Sequence, residues 1–117
     1  MKNARAPVEI ARAELAQQRA DADLLFVMSD ERGRRFIWRE LGRCGLHAQT
    51  YSPNNSEQSF NAGQRNAAIR LNLDVMRVSP DLYLLMQQEA IAAEKHEALL
   101  DEAQREREQH ERGYNDD

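Results

Sequence analysis

Apolar residues in this chain recur mostly at three- and four-residue spacing, which predicts helices along most of its length. A first helix over 7–28 opens at Pro7, where proline's missing N–H goes unused. Its stripe of Ile10, Ala13 and Ala16 is thin, so it needs a docking partner. The run Asp23-Leu24-Leu25-Phe26-Val27-Met28 either continues this helix or restarts it after a break near 21–23, with Asp23 as cap. Ser29 and Asp30 then cap a helix over 30–44, and Gly45 sits where a left-handed residue ends it. A loop over 46–56 follows, with turn chemistry at Pro53-Asn54-Asn55. Ser56 is placed to cap a helix over 57–78. Phe60, Ala67, Leu71, Val75 and Val78 share one side of it, and Ile69, Leu73 and Met76 lie opposite. A helix apolar on two sides is packed on two sides, so this one is expected at the centre. Ser79 and Pro80 stop it and start the last helix, over 80–110, with Ser79 as cap.

The fold class expected is all-α: a small helical bundle with an extended N-terminal helix and a long C-terminal one. Its parts are an N-terminal helical arm (1–22), a helical core domain (23–100) and a charged C-terminal helical tail (101–117). The expected core is Leu25, Phe36, Ile37, Trp38, Leu41, Phe60, Ala67, Leu71, Val75, Leu82, Leu85 and Met86. Tyr51 and Tyr83 read as packed edges, and Gly63 as a close helix–helix contact point. Beyond Leu99, Leu100 and Ala103 the last helix has little to bury, so it projects onto a partner or frays.

Length and composition bound this picture. One domain of 117 residues, 6% aromatic and 31% charged, has a modest core and much solvated surface. No run of 18 apolar residues or charged-then-apolar leader is present, so a soluble protein made in a reducing cytoplasm is expected. The lone Cys44, at helical spacing from Ile37 and Leu41, reads as a small buried hydrophobe. Net charge is −4, unevenly spread: residues 1–20 carry four basic and two acidic groups, residues 81–117 four basic and eleven acidic ones. The acidic C-terminal third disfavours nucleic acid along that part.

Candidate chemistry is sparse. His47, His96 and His110 lack metal-ligand spacing, no Gly-rich phosphate loop or nucleophile elbow occurs, and neither catalysis nor a cofactor is expected. What stands out is Arg32, Arg35, Arg39 and Arg43, within one quadrant of a helix whose opposite side holds Ile37, Trp38, Leu41 and Cys44. Such a face can clamp phosphates, pair with acids of another subunit, or simply be solvated. Leu99, Leu100, Arg105 and Arg107 on the tail complete the candidate partner interface.

Gly33-Arg34-Arg35-Phe36-Ile37-Trp38, Leu41, Gly45, the polar loop, Phe60-Asn61-x-Gly63-x-Arg65 and Pro80-x-x-Tyr83-x-x-Met86 together resemble a family of small helical phage proteins. These are encoded in the structural gene clusters of short-tailed bacteriophages, near portal and capsid genes. The resemblance covers about residues 24–90, carries over no catalytic residues, and implies a virion component. Within that class the expectation is a non-enzymatic head-to-tail connector, or adaptor, at the head-to-tail junction. It would assemble as a homo-oligomeric ring on the portal protein, with tail proteins as further neighbours. Two alternatives stay open: a DNA-packaging-associated nucleic-acid-binding protein, and an internal virion or ejection-associated protein.

Overall fold

The computed structural model describes residues 6–48 and 53–115. The fold is all-α, with four helices and no strand among the described residues: α1 (Ala6–Met28), α2 (Glu31–Arg43), α3 (Asn55–Val78) and α4 (Pro80–Asn115). α1 is unbroken, so the alternative of a restart at Asp23 is not taken. α4 continues through Gly113, five residues past its expected end. The middle of the 46–56 loop, including Tyr51, lies outside the described residues.

Local chemistry sets the ends of these helices. The Asp30 carboxylate accepts from the Arg32 backbone N–H at 2.7 Å and caps α2. At the other end Gly45 has φ +79°. There the Leu46 N–H donates to the Leu41 carbonyl (3.1 Å) and the Gly45 N–H to the Gly42 carbonyl (3.0 Å). That pair of bonds is a Schellman closure, and Leu46 packs on the core beside Leu41, the hydrophobic contact that accompanies it.

Two expected caps are corrected. Asn54, not Ser56, caps α3: its Oδ1 accepts from the N–H groups of Ser56 (2.9 Å) and Glu57 (3.2 Å). Ser79 is buried, and its hydroxyl turns back toward the Val75 carbonyl of α3 at 3.5 Å. Only the Ser79 backbone carbonyl serves α4, accepting from the Tyr83 N–H at 2.9 Å. Pro80 therefore begins α4 without a side-chain cap.

The core is small: Met28, Ile37, Leu41, Ala68, Val75 and Met86 are buried, with Trp38, Leu71, Leu82, Tyr83 and Cys44 half-buried against them. Of the expected core, Leu25, Phe36, Phe60, Ala67 and Leu85 are exposed, Phe60 by 64%. The reason is register. On α3 the buried line runs through Ala68 and Val75, seven residues apart, one position on from Ala67. Small Ala68 lets neighbouring helices approach closely, and Phe60 is turned out to solvent. On α1 the inward residues are Leu24, Val27 and Met28, which leaves Leu25 outside. Nothing lies near a Cβ built at Gly63, so it is not a close helix contact. α3 packs against the other three helices, as does α2, but α3 is not packed on two sides as expected: Leu73 and Met76, opposite the buried line, are exposed.

The molecule is elongated and flat, 93 × 40 × 15 Å, with a radius of gyration of 22.3 Å. A compact chain of this length would have a radius of gyration of about 13 Å. Two ion pairs mark how the long helices are placed in the molecule. Arg77, in the last turn of α3, grips Asp21 of α1 through both carboxylate oxygens (2.9 and 3.0 Å). Arg34, at the start of α2, grips Glu89 of α4. From the first clamp to the second, α1 and α4 therefore run in the same direction. The N-terminal half of α1 projects past one end, where residues 7–20 are all exposed, and the tail of α4 projects past the other.

Candidate functional site

The α2 arginines do not act as one cluster. Arg32 turns back to Asp30 (3.4 Å), and Arg43 pairs with Glu40 one turn earlier (2.6 Å). These contacts hold the Asp30 and Glu40 carboxyls below the ordinary carboxylate range, in each case through the arginine's hydrogen bond. The Arg39 guanidinium lies 5.8 Å from the centre of the Phe36 ring, within cation–π range. Phe36 is thus part of the outer face, in line with Arg32, Arg39 and Arg43 at three- and four-residue spacing. Half the charge of the expected arginine face is already answered by α2 and its cap residue, and what remains outward is Arg35, Arg39 and the exposed Phe36.

The arginine that organises the molecule is one the sequence pattern did not single out. Arg34 is buried, its side chain 9% exposed. Its Nε donates to Glu89 Oε1 (2.6 Å), its Nη2 to Glu89 Oε2 (3.2 Å), and its Nη1 to the Met28 carbonyl at the end of α1 (2.9 Å). One planar fork thus joins three helices. Hydrogen bonds to Glu89 raise the Arg34 pKa further above its ordinary value, so the charge is permanent. The α1–α2 turn that presents it is tight. A Cβ at Gly33 would collide with the Val27 carbonyl, so glycine is required there by backbone approach. A signal was available: Arg34 shares three- and four-residue spacing with Ile37, Leu41 and Trp38, the buried side of α2. Its partner, 55 residues away, leaves no local trace.

Beside this pair, α2 and α4 enclose a groove of about 250 Å³. Trp38, Met86, Ala90 and Ala93 form its floor, Arg35 lies on the α2 side, and Glu94 and Glu97 on the α4 side. Leu100, one turn beyond Glu97, continues the line of the groove along α4. Leu99 is rotated about 100° away from it. Arg105, whose Nε approaches the Asp101 carbonyl at 3.4 Å, and Arg107 are exposed on the projecting tail. The structure therefore brings Arg35 to the groove with Leu100 beyond its end, and leaves Arg105 and Arg107 apart from the α2 arginines.

Among the described residues, no group of three or more His, Cys, Asp or Glu side chains is placed to hold a metal ion. No helix there is long and apolar enough to cross a membrane. No curated protein and no solved structure matches the chain. A family model does match, over residues 24–88. The matched stretch starts at Leu24, where α1 meets the core, and stops one residue short of Glu89, so it takes in the Arg34 turn and most of the core but neither projection. With more than half of its length matched in this way, the chain belongs to the family of Bbp19-like phage proteins.

Proposed function

We propose that this phage protein is a non-enzymatic structural component of the virion: a head-to-tail connector subunit that assembles as a ring on the portal. The observation that carries the reading is the pair of projections. A free-standing monomer gains nothing from helices that leave Val8, Leu15, Leu99 and Leu100 exposed at opposite ends of a small core. A subunit held between neighbours uses such ends as docking surfaces. Membership in a phage family supplies the setting. The tail of α4 would lie against the portal or tail proteins, and the Phe36–Arg39 face against acids of a neighbouring chain, where arginine–carboxylate pairs give orientation more than affinity.

The test is the composition of purified virions. The protein should be present in a fixed ratio to the portal, and deletion of residues 104–117 should leave the core folded while reducing incorporation. Virions that lack the protein overturn the structural reading. Binding to duplex DNA with a steep salt dependence, lost on substitution of Arg35 or Arg39, would put the packaging alternative in its place.

A further inference from the structure

The α2–α4 groove and the α1 arm carry an inference about how copies meet. The groove floor of Trp38, Ala90 and Ala93 continues the line of the buried Met86, so the core-facing side of α4 runs on past the point where the chain covers it. Two alanines in this line permit close approach of another helix. Glu94 stands at the free edge, Glu97 follows Ala93 in the same line, and the segment beyond is strongly acidic.

The arm of α1 has the complementary pattern. Val8, Arg12, Leu15 and Arg19 follow one another at spacings of four, three and four, so they form a single stripe. Glu9 and Glu14 fall off that stripe. The stripe lies on the side of α1 opposite Leu24 and Met28, facing away from the chain's own core, and all four residues are exposed. Arm and groove cannot meet within one molecule, because the arm leaves one end and the groove opens toward the other.

We propose that the α1 arm of one copy docks in the α2–α4 groove of a second copy, with Val8 and Leu15 over Trp38, Ala90 and Ala93, and Arg12 and Arg19 beside Glu94 and Glu97. This adds a second copy-to-copy contact, beside that of the Phe36–Arg39 face, to the assembly proposed above and rests on that reading. The contact is heterologous, one surface meeting a different one, so it propagates from copy to copy and closes into a ring when the rotation allows.

The test is sedimentation velocity on the full chain at high micromolar concentration. The wild type should form species larger than a dimer. Leu15→Asp (arm) and Ala93→Glu (groove) should each weaken association by about tenfold or more. An equal mixture of the two should recover dimers and nothing larger, because each variant keeps one intact surface. Arg12→Glu should weaken association and Glu97→Arg in the same chain should restore it, which covers the case of a groove variant that fails to fold. Helicity and melting temperature of each variant report folding. A wild type that stays monomeric, variants that associate like the wild type, or a mixture of folded variants that forms no dimer would each overturn the contact. Virions that still contain the Leu15→Asp protein would show that the structural role survives where this contact does not.

Discussion

The centre of this molecule and its two ends are built on opposite principles. At the centre, Met28, Leu41, Val75 and Met86 are buried almost completely, and Arg34 ties α1, α2 and α4 through three hydrogen bonds. At the ends, among the described residues, the N-terminal half of α1 and the tail of α4 hold only local side-chain hydrogen bonds, such as Gln104 to Glu108 (3.2 Å). An isolated helix of that kind is marginal in water. Helical content therefore does not measure stability here: the same secondary structure is fastened by tertiary contacts in one region and exposed to solvent in the other.

The contrast is broken most directly at Arg34. Arg34→Ala leaves Glu89 without its partner and the Met28 carbonyl without its donor, and should cost about 3–5 kcal/mol in urea unfolding. Arg34→Lys should recover only part of this, since an ammonium does not reproduce the bidentate fork. A charge removed from the tail, as in Arg107→Ala, should shift stability by no more than about 0.5 kcal/mol. Equal losses at the two sites would erase the distinction between centre and ends.

Next in size is Gly33→Ala. The added methyl group meets backbone at Val27 rather than a movable side chain, so the α1–α2 turn must open, at a cost of about 1–3 kcal/mol. Gly63→Ala, in open space on α3, should be neutral or slightly stabilising, because alanine is the better helix former. The two substitutions compared by thermal melting separate a steric role from mere helix propensity.

Acid sharpens the comparison further. The Asp21 carboxyl is held below its ordinary value of 3.8, chiefly by its hydrogen bonds to Arg77 and then by Gln17. A carboxyl lowered in the native state contributes stability that is fully present above its unfolded pKa and is lost as pH falls through the native one. Stability should thus be flat at neutral pH and fall in strong acid. Asp21→Asn should reduce that dependence and weaken the fastening of α1 to α3, which unfolding curves at a series of pH values would register.

The smallest expected effect is at Phe60. A sequence pattern that places it in the core predicts a loss of about 3–5 kcal/mol for Phe60→Ala. Its exposed position in the structure predicts a change within about 0.5 kcal/mol.

That difference marks what the sequence made legible. The existence of all the helices, the Asp30 cap, the Gly45 stop and the Pro80 start could be read because each depends on chemistry within a few residues. The face that α3 buries could not, because apolar residues lie on two of its sides and tertiary packing decides between Ala67 and Ala68. Arg34 was hidden for a related reason. Its meaning lies in a carboxylate more than fifty positions away, whereas Arg32 and Arg43 advertise an arginine face that their own neighbours Asp30 and Glu40 half answer. The groove likewise joins two helices distant in sequence.

The central claim, a fastened core with two weakly held ends, is tested most directly by residue-resolved hydrogen exchange on the dilute, monomeric protein. Amides of α2, of α3 around Ala68–Val75 and of α4 up to Glu89 should exchange only through global unfolding. Those of residues 8–18 and 100–115 should exchange by local fraying, orders of magnitude faster. Uniform protection along the whole of α1 and α4 in the monomer would contradict the account.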